Sequence, residues 1–171
     1  MVKMVKQSPE FSIKRLDLSD ISPGLLDTFA HSQKTTKMWI KKDGNWALTD
    51  VSILREWSPE KRIWISEYMR QQIHRGGVTV GAFYRTRLIG FFCVDGVLSG
   101  KSAKYANLTM LFIDDAWKRN GIGKTLFQEA CHHAKALGAE KMFISAIPSV
   151  ETIEFYFKPG QIDHRHHEGC H

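Results

Sequence analysis

Between Ala106 and Gly138 the chain changes from a strand-like run to an amphipathic helix across a short glycine-bearing turn, and that junction limits what it can fold into. Ala106 to Ile113 reads as a strand. Leu126, Phe127, Ala130, Cys131, Ala134 and Leu137 recur at helical spacing and predict a helix ended by Gly138. The junction itself is Lys118-Arg119-Asn120-Gly121-Ile122-Gly123-Lys124-Thr125. Glycines there let the backbone come close to a ligand. The N–H groups of a first helical turn have no partner inside the helix and sit at the positive end of its dipole, so they attract phosphate. Lys118, Arg119 and Lys124 strengthen that preference, as does an excess of 24 Lys and Arg over 18 Asp and Glu, which gives a net charge of +6. Two phosphate motifs fail on these residues. A P-loop needs glycine where Lys118 stands, and a dinucleotide fingerprint needs its third glycine where Leu126 stands.

The remainder of the chain reads as an ordinary globular protein. With 171 residues, 43% hydrophobic and 25% charged, disordered and fibrous classes are excluded and one core is expected. Cys93, Cys131 and Cys170 are too scattered for a disulfide framework, which favours a reducing compartment. No run is long and apolar enough for a membrane span and residues 1–11 do not resemble a secretion leader, so a cytoplasmic location is expected.

Phe11 to Leu16 predicts a first strand. Ser22-Pro23 predicts a helix start leading into Leu25, Leu26 and Phe29. Met38 to Lys42 and Asn45 to Leu48 flank Asp43-Gly44 as a hairpin. Ser58-Pro59-Glu60 opens a helix carrying Trp64, Ile65, Tyr68, Met69 and Ile73, stopped by Gly76-Gly77. Val78 to Tyr84 and Leu88 to Val94 are strands joined at Arg85-Thr86-Arg87. Lys141 to Ile147 is a buried-type strand, and Ser149 caps a short helix through Phe157. This order predicts an α/β domain with a mixed, mostly antiparallel sheet flanked by helices. Trp39, Trp46, Trp57 and Trp64 are expected to pack as core aromatics, with lining of an acceptor pocket as the other reading.

A third phosphate pattern, Arg/Gln-x-x-Gly-x-Gly/Ala, wraps the pyrophosphate of coenzyme A. Gly121 and Gly123 match it, with Lys118 in place of Arg or Gln. Downstream, Ser149-Val150-Glu151-Thr152-Ile153-Glu154-Phe155-Tyr156, followed by Gly160, resembles the helix motif Asn-x-x-Ala-x-x-Phe-Tyr-x-x-x-Gly, with Ser149 and Thr152 replacing Asn and Ala. Together these motifs resemble the GNAT-type N-acetyltransferases. The resemblance covers Val78 to Gly160, with Met1 to Gly77 a looser, acceptor-side fit.

The resemblance implies an enzyme that passes an acetyl group from acetyl-CoA to a primary amine, of a small molecule or a protein, without a metal. Strands Ala106–Ile113 and Lys141–Ile147 would part to admit pantetheine against the main chain of Leu111, Phe112 and Ile113. Lys118, Arg119, Asn120, Gly121, Ile122, Gly123 and Lys124 would hold the pyrophosphate, and Ser149 also falls in the cofactor-binding set. Tyr156 would give a proton to the departing thiolate. Holding amine and thioester together is worth on the order of 7–11 kcal/mol of barrier. No base is assigned: Leu108 to Ile113 carries no carboxylate, and Glu56, Glu67, Asp95, Asp114 and Asp115 read as surface charges or helix-start residues.

Residues 1–160 form the expected acetyltransferase domain and 161–171 a polar, His-rich tail. Such a tail is expected to leave no sequence for the two final strands that relatives carry, and so an open sheet edge, either covered by a second subunit in a homodimer or left to weaken the fold. His164, His166, His167, Cys170 and His171 match no zinc-module spacing. An acyl-CoA-binding module of the same fold with little catalysis is the alternative function. Nucleic acid is the weaker reading: Lys34, Lys37, Lys41 and Lys42 lie beside Trp39 and Trp46 without a nucleic-acid motif.

Overall fold

The structure is a computed structural model that describes residues 10–145 and 150–156, without the side chains of Glu151, Ile153 and Tyr156. Ser149 and the segment 157–171, with the tail and the strands expected to be missing, lie outside the described residues. The chain divides into two compact units. One comprises the residues up to Ser32 together with Glu56–Ser145; the other comprises Gln33–Arg55 together with Ala146 onward.

The first unit is built on a five-stranded sheet of β1 (Ser12–Arg15), β4 (Val78–Tyr84), β5 (Arg87–Val94), β6 (Tyr105–Ile113) and β7 (Lys141–Ile144), in that spatial order. Neighbours pair antiparallel except β6 and β7, which are parallel. This is the mixed, mostly antiparallel sheet that the sequence predicts. The two central strands are buried on both faces: Val78 to Ala82 and Leu88 to Val94 are all inaccessible. Their apolar runs explain this, since a strand covered on both sides needs no polar alternation.

Helix α1 (Pro59–His74) covers one face, where Ile65 and Met69 pack with Phe29, Phe91, Cys93, Met110 and Phe112. Ser58 caps it, its hydroxyl accepting from the Lys61 N–H at 3.2 Å, with Pro59 at the first helical position. Helix α2 (Ile122–Ala136) packs on β5 and β6 from the other face. Its buried residues are Ile122, Leu126, Phe127, Ala130 and Ala134, and the ring of its His133 lies 6.2 Å from that of Phe92. Phe91 and Phe92 are adjacent in sequence and must point to opposite faces of the sheet. The alternation along β5 therefore sets the two helices on opposite sides.

The second unit contains the hairpin of β2 (Ser32–Lys42) and β3 (Asn45–Glu56), and α3 (Val150–Tyr156). The hairpin turn is Asp43-Gly44, both with positive φ (48° and 84°), as a two-residue turn matched to strand twist requires. The strands run well beyond the predicted segments, to 11 and 12 residues.

Three expectations are corrected. Residues 22–29 do not form a helix. Leu25, Asp27 and Phe29 instead donate to Ser22, Gly24 and Leu26 in successive four-residue turns. Gly24 disfavours helix, and burial of Leu26 and Phe29 is satisfied by the turns alone. Of the tryptophans in view, only Trp57 packs on the core, stacked on Phe29 at a ring distance of 5.4 Å. Trp39, Trp46 and Trp64 are exposed, the last two at 59% and 51%. Strand β7 is the last of the sheet among the described residues and only partly covered, with Phe143 42% exposed. Asp114 is the helix-start residue that the sequence allowed, its fully buried carboxylate capping the 3-10 turn Asp115–Trp117.

Candidate active site

The two halves of β6 differ. Tyr105 to Leu108 pair with Lys141 to Ile144 on one side, and the strand pairs with β5 on the other. At Thr109 the β5 register shifts: Leu108 faces Val94 and Met110 faces Cys93, leaving Thr109 as an extra residue. Among the described residues the pairing with β7 stops at Leu108, and β6 runs on through Ile113. The Asp114 N–H donates to the Ile89 carbonyl at 2.9 Å, which fixes the phase of the ladder with β5. By period-two alternation Phe112 also turns its main chain to β5, and Leu111 and Ile113 turn theirs to the β7 side.

After β6 the chain enters a 3-10 turn, Asp115–Trp117, and then the glycine segment. Arg119 and Gly121 both adopt the left-handed conformation, with φ of 69° and 78°. A glycine is suited to that backbone; an arginine is held in it at a cost of roughly 1–2 kcal/mol. The Asn120 amide braces the turn by donating to the carbonyls of Trp117 (3.0 Å) and Lys118 (3.3 Å). Gly121 then opens α2 with no side-chain cap and no acidic residue in the first turn. A Cβ added at Gly121 would meet nothing within 4 Å among the described residues, which leave the space directly over that position open. Donors of the first turn, an open approach and the cationic side chains of Arg119 and Lys124 suit a diphosphate. The Lys118 ammonium is engaged elsewhere, 2.5 Å from Asp115 and 3.1 Å from the Ser32 carbonyl.

Asp114 and Asp115 tie this region to residues 28–32. Asp114 accepts from the N–H of Ala30 and of Ala116, each at 2.9 Å, and from Arg87 at 3.0 Å. Asp115 accepts from the N–H and hydroxyl of Ser32, each at 2.7 Å. Burial works against its charge, but Lys118 and Ser32 outweigh this and hold the carboxyl below its usual range. The Asp115 N–H donates to the Ala30 carbonyl and the Trp57 N–H to the His31 carbonyl. His31 is thereby held between anchored neighbours, its ring 4.8 Å from Trp57 and 5.0 Å from Phe112. Burial, assisted by the positive charge of Lys118, pushes its pKa down. Sequence reasoning gave His31 no role; nothing local distinguishes it.

The structure therefore brings together Leu111, Phe112, Ile113 and the segment Lys118–Lys124 in the first unit. Tyr156 ends α3 in the second, and Ser149 is outside the described residues.

Residues 45–158, more than half the chain, match the model of the acetyltransferase (GNAT) family. The chain belongs to that family. The match begins upstream of the Val78 boundary expected from the motifs, at the hairpin turn. Its members are acyl-CoA-dependent N-acyltransferases, so this GNAT chain is an enzyme of that class.

Solved structures agree in fold. A Bacillus anthracis protein assigned as a streptothricin acetyltransferase, in complex with acetyl coenzyme A, superposes with a TM-score of 0.59 at 19% identity, over 86% of this chain and 81% of that one. Nourseothricin acetyltransferase gives 0.61 at 14% identity, over 85% and 79%. Glucosamine-6-phosphate N-acetyltransferase from Arabidopsis thaliana gives 0.55 at 17% identity, over 95% and 98%. No curated protein matches the chain in sequence. Among the described residues no helix is long and apolar enough to cross a membrane.

Proposed function

We propose that this GNAT enzyme transfers an acetyl group from acetyl-CoA to a primary amine. The observation that carries the reading is the uncapped start of α2, delivered by the left-handed Gly121 directly after a strand whose second half lacks its β7 neighbour among the described residues. The main-chain N–H groups of Ile122, Gly123 and Lys124 hold the diphosphate, with Arg119 and the Lys124 side chain adding charge and Asn120 fixing the turn. Lys118 contributes its main chain and reaches the ligand only by leaving Asp115. Leu111 and Ile113 offer main-chain groups to the pantetheine amides as a missing strand would, and Phe112 walls the arm with its ring. Ser149 completes the cofactor set by its place in the downstream motif.

Acetyl-CoA supplies the activated acetyl group as a thioester. The residues orient it: a main-chain N–H on the free side of β6 steadies charge developing on the carbonyl oxygen, and fixed geometry lowers the entropic part of the barrier. Tyr156, assigned from its motif, holds the proton that the departing sulfur takes. Residues 1–160 serve as the catalytic domain and 161–171 as an appended tail.

Calorimetric titration with acetyl-CoA, followed by a CoA-release assay over a panel of primary amines, tests this. The expected result is saturable heat and amine-dependent release, with kcat lowered on the order of a hundredfold in Tyr156→Phe. Absence of heat with folded protein overturns the reading. Binding without turnover on any amine replaces it with an acyl-CoA-binding module.

A further inference from the structure

The acetyl-transfer reading leaves one chemical requirement unmet. A primary ammonium, with an ordinary pKa near ~10.4, must lose a proton before its nitrogen can attack, and β6 from Leu108 to Ile113 carries no carboxylate to take it. Asp114 and Asp115, the acids nearest that strand, are spent. Each accepts hydrogen bonds from main chain and from a cation, and each holds the 28–32 segment in place.

What they hold in place is His31. Its flanking residues are pinned on both sides, Ala30 by Asp114 and Ser32 by Asp115, and its own carbonyl accepts from Trp57. The ring is fixed by Trp57 on one side and by the edge contact with Phe112 on the other. Phe112 lies between Leu111 and Ile113, the residues with main chain on the free side of β6, so the imidazole sits at the half of the strand that the proposed acyl donor occupies. Its Nδ1 is buried and has no hydrogen-bond partner among the described residues. A buried ring nitrogen without a partner costs free energy on the order of 1–3 kcal/mol.

We propose that His31 is the general base of the reaction, its half-buried imidazole accepting the proton of the acceptor ammonium directly or through one water. The inference rests on the acetyltransferase reading above. The acceptor nitrogen gives one proton to His31 and uses the freed electron pair to bond to the acetyl carbon. The C–S bond then breaks with its electron pair on sulfur, which takes a proton from the acid, and the imidazolium returns its proton to solvent. The charged groups acting on the ring are Lys118, which disfavours the imidazolium, and Asp115, which favours it, with the Ile113 main chain favouring it also. Burial and Lys118 outweigh Asp115 and Ile113 and push the pKa down, which favours the neutral ring that can accept a proton.

The test compares wild type with His31→Phe, which keeps an aromatic ring between Trp57 and Phe112 and removes both nitrogens. His31→Ala with added imidazole is the second variant. Acetyl-CoA titration, thermal melts and CoA release with the panel of primary amines are measured for each. The expected result is acetyl-CoA affinity within about twofold of wild type and kcat lower on the order of 10²–10³-fold at pH 7. The loss should shrink as pH rises towards the amine pKa, where free amine no longer needs a base, and imidazole should restore part of the His31→Ala rate. Equal turnover in His31→Phe overturns the inference and leaves the acetyltransferase reading intact, as does a loss of the same size at every pH without imidazole rescue. Wild type that binds acetyl-CoA and acetylates no amine overturns both.

Discussion

The two long helices of this protein begin in opposite ways. At α1 the chain closes its own helix end: the Ser58 hydroxyl takes the Lys61 N–H, Pro59 has no donor to satisfy and Glu60 adds negative charge to the first turn. At α2 the chain leaves the end open: Gly121 has no side chain to cap with, the first turn has no acid, and cations surround it. A helix that serves only the core can satisfy its own termini. A helix that holds an anionic ligand must keep its donors available, and here a left-handed glycine does that without screening them.

The comparison breaks most visibly if α2 is given the charge that α1 carries. Gly121→Asp should lower acetyl-CoA affinity on the order of a hundredfold by calorimetry, because a carboxylate placed over the first turn repels phosphate and competes for its N–H groups. Gly121→Asn, similar in shape and backbone demand, should lose far less; equal losses would mean that backbone strain rather than charge matters at this position. Removing the cap of α1 is the reciprocal change. Ser58→Ala should cost about 1 kcal/mol in urea or thermal unfolding and leave acetyl-CoA affinity and turnover unchanged.

The smallest effect concerns pH. Burial lowers the pKa of His31, with Lys118 acting the same way, and burial followed by Arg15 lowers that of His133 on α2. A depressed folded pKa means that the unfolded chain binds protons that the folded one refuses. Stability attributable to these groups is therefore complete above about pH 6.5, the ordinary histidine value, and falls as pH drops below it. The melting temperature should decline below that pH, and the decline should be shallower in His31→Phe. An identical slope in variant and wild type would show that His31 titrates normally.

Much of the architecture was legible because it is written locally. The apolar runs of β4 to β6, the spacing on α2, the Ser58-Pro59 start and the Asp43-Gly44 turn each depend on a few consecutive residues. The misreadings have one physical origin. Ser22-Pro23 carries a helix-start signature, yet Leu26 and Phe29 reach the core through a chain of turns. Trp64 fits the apolar spacing of α1 yet lies outside the buried stripe, stacked on Tyr68 with Lys61 over its ring. Periodicity gives the direction of a side chain but not what waits there to cover it.

The sequence alone determined the strand, glycine turn and helix on which the proposed anion site rests, since left-handed backbone and unpaired first-turn donors are properties of those few residues. Tertiary structure decided which polar groups are buried and which ring is left with an unpartnered nitrogen. Asp114 and Asp115 acquire their roles from Ala30 and Ser32, 84 and 83 positions away, and His31 acquires its surroundings from Trp57 and Phe112. Burial depends on residues far apart in the chain, so no stretch of sequence around His31 announces it.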